Sequence, residues 1–521
     1  MAVHSILFPG GDGIPAGVED RPQPDFFVDL NLDQIVASVV GKDEYDLAPF
    51  FSCALTDLDA LRYRQEVFQD LERDEVHDLV AAFASEELVA KFRYRSRDMR
   101  SEHHDFGHYH RARWFLGAVE RYCQAVAALA TDLTRVGVRS RGLLGLQHYL
   151  EGYVSSAAFG GMRDESQRLE VALDAVDYCI LVKGDRVTVG LYDDQVDYSE
   201  QVTKTFERFQ QDATTDYRDI RPEWREDDFA ELAVLDMVAK LYPDLFGALD
   251  DFCRQYIGYL DATVALADRE FQFYLSYLDH IRPLREAGLT VSYPRMSDQS
   301  KEEQARDTFD LALAAQLTAR GKHVVCNDID LGGPERILVI SGPNNGGKTT
   351  LARTVGQLHH LARLGCPVPG RDVRLFLCDQ IFTHFEKQED ITTLAGKLQD
   401  ELNRLHADLE RATPASLVIL NEVFNSTTAA DAQFLSREIL QRISRLDTLG
   451  VCVSFLDELS TLNDKTVSMV SQVDPHDPVI RTHKVIRAAA DGRAYAHAIA
   501  EKYGLTYERI TAGRRVGGDG S

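Results

Sequence analysis

The sequence predicts an α/β domain of the P-loop class in its C-terminal part, preceded by a mostly α-helical region that carries a small β-containing insertion. Ile337–Thr350 reads ILVISGPNNGGKTT, an apolar β-branched run, then a glycine-rich turn, then a segment with Leu351, Val355, Leu358 and Leu361 at helical spacing. From about residue 301 to 510, strand-like and helix-like runs alternate, as in an α/β domain. Upstream, apolar residues instead recur every three or four positions, interrupted by a hairpin signal at Lys183-Gly184-Asp185.

The turn fits G-x-x-x-x-G-K-[ST]. Gly342, Gly347, Lys348 and Thr349 take the fixed places, and Pro343, Asn344, Asn345, Gly346 and Thr350 complete the loop. Glycines let backbone N–H groups close around phosphate oxygens, and the helix that follows adds the positive end of its dipole. Lys348 is suited to the β- and γ-phosphates of a nucleotide, and the Thr349 hydroxyl to Mg²⁺.

The chain has 521 residues, too many for one core; length suggests on the order of three domains. Its formal charge of −26 favours solubility and disfavours non-specific polyanion binding, so any nucleic-acid contact must come from local basic patches. No apolar run approaches the roughly 20 residues that span a bilayer, and no signal peptide opens the chain, so no membrane partner is expected. Eight cysteines are scattered without a C-x-x-C pair; Cys179, Cys326 and Cys452 read as buried thiols in a reducing cytoplasm.

In chain order, residues 1–25 are rich in Gly and Pro and read as an irregular arm. A helical region follows over 26–300, with Leu55, Leu58 and Leu61 in its first part. Lys91–Arg113 is basic and aromatic; a phosphate-contacting surface and a solvated face paired with nearby acids are the two readings, and the second is favoured. The β-rich insertion lies around 160–215. Phe252 to Leu278 then suggests one long return helix, its aromatic stripe packed in a core. The α/β domain occupies 301–512, and 513–521 reads as a flexible tail.

Inside that domain, Ser416–Leu420 is a fully apolar strand ending in Asn421-Glu422. A carboxylate at such a strand end is where P-loop chemistry needs a base or water-positioning group, which makes Glu422 the candidate. A third strand, Val451–Phe455, leads to Asp457-Glu458-Leu459. Gly396 opens an amphipathic helix with Leu398, Leu402, Leu405 and Leu409 on one face, whose N-terminus offers N–H groups to a phosphate.

Together these segments resemble the MutS family of ABC-type ATPases. The resemblance rests on CNDIDL (Cys326–Leu331), GPNNGGKTT (Gly342–Thr350), DQIFTHF (Asp379–Phe385), SLVILNEVFNSTTAAD (Ser416–Asp431), DELSTL (Asp457–Leu462) and DGRAYAHAIAEKYGL (Asp491–Leu505). It implies an ATPase domain behind a helical core and lever with a clamp insertion. It also implies ATP and Mg²⁺ as cofactors and DNA, duplex or branched, as a partner. Gly342–Thr350 would hold the nucleotide, with Lys348 and Glu422 catalytic and Thr349 and Asn421 on the metal. Gly396 would complete the site of a second subunit in an ATP-dependent homodimer.

The chain departs from the family pattern at Asn421, where Asp is usual, at Phe455, where a histidine senses the γ-phosphate, and at Val324, where an aromatic residue often stacks on adenine. The long C-terminal dimerisation helices of the family are not expected, since residues 507–521 read as a short Gly/Arg tail. Few residues precede the helical region, so a protein without the mismatch-recognition domain, and without mismatch selectivity, is expected. The expected function is a cytoplasmic DNA-binding ATPase and clamp of repair or recombination. The alternatives are an ATP switch acting on RNA, ribosomes or a protein partner, and an ATP-binding scaffold with little turnover.

Overall fold

The computed structural model describes residues 4–10, 13–19, 22–85, 107–183, 186–193, 229–386, 396–474, 476–477 and 480–490. The tail over 513–521, the DGRAYAHAIAEKYGL segment and Lys91–Phe106 lie outside them. The chain forms two compact units, one of residues 1–77, 139–144 and 269–521, the other of 78–138 and 145–268.

In the second unit the helices His108–Val136, Ala157–Asp174 and Pro243–Gln255 pack on one another, burying Phe115, Val119, Leu169 and Phe252. The hairpin is present as β1 (Tyr178–Lys183) and β2 (Arg186–Leu191), an antiparallel pair that closes at Lys183 opposite Arg186. The continuous return helix expected over Phe252–Leu278 is broken. Pro243–Gln255 ends, and a new helix, Ala262–Glu286, begins where the Asp261 carboxylate accepts the N–H groups of Thr263 (2.9 Å) and Val264 (3.1 Å). A cap of this kind makes a helix start energetically distinct from a helix interior. Arg113 is paired with Glu170 and Asp174, in keeping with a solvated, ion-paired face at that end of the basic stretch.

The first unit is mixed α/β and is centred on a sheet that is mostly parallel. Its first strands are β3 (Val291–Ser292), β4 (Arg295–Ser297), β5 (Glu303–Thr308) and β6 (Asn327–Leu331). The rest are β7 (Ile337–Ser341), β8 (Val368–Pro369), β9 (Arg371–Phe376), β10 (Ile381–Phe385), β11 (Leu417–Asn421), β12 (Leu449–Val453), β13 (Thr466–Val473) and β14 (Arg481–Arg487). The main sheet has the order β10-β11-β12-β7-β13-β14, parallel except for the last pair. A second sheet has the order β4-β9-β5-β6, and β3 pairs with β8. Every residue of β7, β11 and β12 is buried, which is why these strands read as unbroken apolar runs rather than alternating ones.

Residues 4–77, the arm together with the first part of the expected helical region 26–300, group with this α/β unit. The helix Lys348–Arg363 is buried nearly all round, so something besides the sheet must cover it. Gln357 Nε2 donates to Leu30 O (2.8 Å), His360 Nε2 bonds Phe51 O (2.8 Å), and Leu55 N donates to Arg363 O (2.8 Å). Leu55 therefore precedes its helix, Leu58–Leu71, which the Asp57 side chain caps at Ala60 N (2.7 Å). The arm, though irregular, is packed: Ile6 N (2.7 Å) and Ser5 Oγ (2.5 Å) both donate to the buried Glu270 carboxyl. Cys452 is buried, whereas Cys179 and Cys326 are only half-buried, and all eight cysteines are free.

Candidate functional site

The parallel register brings several strand ends to one edge of the main sheet. Asn421 lies opposite Val453, Val453 opposite Ile340, and Ser341 opposite Val470. In open α/β sheets the crevice outside these carboxyl ends is where ligands bind. The glycine-rich loop leaves β7 at this edge and turns into the helix Lys348–Arg363.

Side chains and backbone from the far end of the domain press on the loop. A methyl group built on Gly346 would lie 2.1 Å from Ser471 Oγ and 3.0 Å from Pro343 O. Ser471 Oγ itself donates to Gly346 O (2.6 Å). Gly347 has φ +93°, and a Cβ there would stand 3.2 Å from His483 O. Arg481 Nε donates to Asn344 O (3.1 Å). The glycines are thus required by closeness as well as by φ.

Lys348 is 4% exposed and folds back over the loop. Its ammonium donates to Gly342 O (3.1 Å) and Pro343 O (3.2 Å), and stands 3.5 Å from Asn344 Oδ1 and 3.6 Å from Glu422 Oε1. It also lies 4.4 Å from the centre of the Phe455 ring. Burial holds its pKa below the usual lysine range, an effect that Glu422 partly offsets. The charge is nevertheless kept in place by four oxygens and an aromatic face, where a phosphate can replace the weaker partners.

Thr349 Oγ1 donates to Asn421 Oδ1 (2.9 Å). Two neutral oxygens side by side, next to a carboxylate, suit a hard oxygen-seeking cation such as Mg²⁺, though with less charge than an aspartate in place of Asn421 would supply. Beside Asn421 opens a cavity of about 690 Å³, lined also by Asp25, Asp29, Arg353 and Glu386.

Glu422 follows β11 with φ +53°, and Phe424 has φ +64°. Such values are outliers for side chains of this size and persist only where surroundings enforce them. Here Glu422 N donates to Val453 O (2.9 Å) and Phe424 N to Glu401 Oε1 (3.1 Å). Glu401 is nearly buried beside His384, whose Nε2 stands 3.5 Å away. Burial alone would raise the Glu401 pKa, but His384 and the Phe424 N–H hold it below the usual range.

The structure therefore gathers Gly342–Thr350, Asn421 and Glu422 at one place. Gly396 stands apart in character: it precedes the helix Lys397–Arg411, is exposed, and has no atom within 4 Å of a built Cβ. Val324 is buried. Ser471, Arg481, His483 and Glu401 carry no signal in the linear sequence; Ser471 lies 125 positions from Gly346, and no local spacing marks it.

A profile of MutS domain V matches residues 338–516. The chain is 27% identical over 300 residues to a DNA mismatch repair protein MutS of Halalkalibacterium halodurans, covering 57% of this chain and 34% of that protein. It is 29% identical over 308 residues to a DNA mismatch repair protein MutS of Shouchella clausii, covering 58% and 34%. An Endonuclease MutS2 of Thermomicrobium roseum is 28% identical over 311 residues, covering 58% and 37%. The chain thus spans about a third of the length of these curated relatives.

Proposed function

We propose that the chain is a MutS-family ATP hydrolase that dimerises on ATP and closes on DNA in repair or recombination. In this reading the α/β unit is an ABC-type ATPase domain, and the helical unit with hairpin β1–β2 supplies lever and clamp. The observation that carries the reading is the joint placement of Lys348 against Glu422 and of Thr349 against Asn421 around one glycine loop. DNA as partner is taken from the names of the relatives, mismatch repair proteins and an endonuclease.

The roles follow from the chemistry of each group. Lys348 leaves its loop carbonyls and Glu422 for the β- and γ-phosphate oxygens, which frees the Glu422 carboxylate to orient the attacking water. Thr349 and Asn421 would hold Mg²⁺ through their side-chain oxygens, and the ion would supply positive charge to offset that of the phosphates. Because Asn421 contributes a dipole and no charge, turnover is slow. Gly396 meets the γ-phosphate held by a second copy, so neither site is complete alone.

The test combines nucleotide and DNA measurements. Lys348→Ala should abolish ATP binding in calorimetry, and Glu422→Gln should bind ATP without hydrolysing it. Equal ATP affinity in wild type and Lys348→Ala removes the basis of the reading. Anisotropy titrations with matched, mismatched, branched and single-stranded DNA, with and without ATP, should show modest binding that falls steeply with salt, given the net charge of −26. No binding at low salt in any nucleotide state redirects the proposal to a protein or RNA partner.

Two observations favour a second reading, an ATP-binding scaffold with little turnover. Phe455, not a histidine, lies against the Lys348 ammonium, and Asn421 replaces a metal-binding carboxylate. A single-turnover assay separates the two, since the scaffold leaves ATP intact at saturating Mg²⁺.

A further inference from the structure

We infer that Glu401 is a positioning residue for hydrolysis, which fixes the turn carrying Glu422 by holding the Phe424 N–H and so ties that turn to the helix beginning at Gly396. The inference rests on the functional reading above and adds to it a residue outside the phosphate loop.

The turn from Asn421 to Phe424 needs an anchor. Two large residues in it, Glu422 and Phe424, occupy the left-handed region, at φ +53° and +64°. Such angles are unfavourable for side chains of this size, and the turn would relax toward ordinary backbone angles without compensating bonds. Relaxation would swing the Glu422 carboxylate away from its place 3.6 Å from Lys348. The backbone N–H groups of the same two residues are held, one by Val453 O on the neighbouring strand and the other by the Glu401 carboxylate.

Glu401 is an expensive way to provide that bond. It lies on the helix Lys397–Arg411 among Leu398, Leu402, Leu405 and Leu409, all part of one apolar cluster, and it is 7% exposed. Burying a carboxylate there costs free energy unless it is paired and hydrogen-bonded, and an apolar residue would simply extend the helix face. The charge is retained with two partners, the Phe424 N–H at 3.1 Å and the buried His384 at 3.5 Å. The Phe424 ring, fully buried, packs in the same cluster as Leu405 and Leu409. Backbone and side chain of Phe424 are therefore both fastened to the helix that starts at Gly396. A shift of that helix on docking to a second copy reaches Glu422 through this fastening.

The experiment compares Glu401→Ala and Glu401→Gln in the full chain with Lys348→Ala and Glu422→Gln as references. Steady-state kinetics, ATP affinity by calorimetry and thermal melting are read for each. Glu401→Ala should lower kcat about tenfold or more while the ATP KM stays within about threefold, because the defect lies in the catalytic step and not in ground-state binding. Glu401→Gln keeps an acceptor oxygen for Phe424 N and should recover turnover to within about threefold of wild type. If Glu401→Ala loses ATP affinity as much as turnover, the residue only supports the fold and the inference fails. It fails too if glutamine is as slow as alanine, or if Glu401→Ala turns over normally while Glu422→Gln does not. Normal turnover in Glu422→Gln instead removes the base assignment itself, a separate outcome.

Discussion

The helices Lys348–Arg363 and Lys397–Arg411 both begin directly after a glycine followed by lysine, and the two glycines stand in opposite surroundings. Gly347 is in the left-handed region at φ +93°, with the His483 carbonyl 3.2 Å from where a Cβ would be. Gly396 has φ −62°, an angle open to any residue, and nothing within 4 Å. The first glycine is dictated by its own chain, which packs β13 and β14 against the loop. Nothing within the described chain dictates the second. In the proposed dimer, the space around Gly396 is where the phosphate of a second copy enters. A glycine–lysine pair at a helix start is thus crowded by its own chain in one place and left open in the other.

The largest expected effect breaks the packed side of this comparison. Gly346→Ala puts a methyl group against Ser471 Oγ and the Pro343 carbonyl, so the loop must open. ATP affinity should fall by about a hundredfold or more in calorimetry, the same class of loss as Lys348→Ala. Affinity within a few-fold of wild type would show that the loop is looser than its contacts imply.

Next in size is a change on the open side. Gly396→Glu places a like charge where a partner's γ-phosphate would dock, whereas Gly396→Ala meets no atoms and should leave melting temperature and ATP affinity unchanged. In a Glu422→Gln background, light scattering should show an ATP-dependent mass increase that Gly396→Glu weakens by about tenfold. An undiminished dimer, or a monomer in every variant, would leave Gly396 without its assigned role.

A smaller effect sharpens the metal side of the packed site. Asn421→Asp sets a carboxylate 2.9 Å from the Thr349 hydroxyl in place of an amide oxygen. The Mg²⁺ concentration for half-maximal turnover should fall about threefold or more, with turnover equal or faster. A weaker Mg²⁺ requirement with slower hydrolysis would argue that the amide is tuned to this site.

The smallest expected change concerns Phe455, whose ring faces the Lys348 ammonium at 4.4 Å yet is half exposed. Phe455→Ala removes a cation–π contact of about 0.5–1 kcal/mol, and ATP affinity should shift by less than about fivefold. A larger loss would make Phe455 part of the nucleotide site rather than a neighbour of it.

The parts of this protein whose physics is local can be read from its residues. The glycine spacing around Lys348, the β-branched run before it, the apolar strand ending at Asn421-Glu422 and the hairpin around 184–185 were all legible, because turn conformation and burial on both faces of a strand leave their mark within a few residues. Tertiary structure alone decided the rest. The packing of 4–77 onto the helix Lys348–Arg363 depends on bonds such as Gln357 to Leu30, across 327 positions, which no period reveals. The same holds for Ser471 and His483 over the glycine loop, and for Glu401 under the Phe424 N–H, 23 positions away. A carboxylate in a leucine-faced helix reads as an ordinary solvated acid until the fold buries it against a backbone N–H in need of an acceptor.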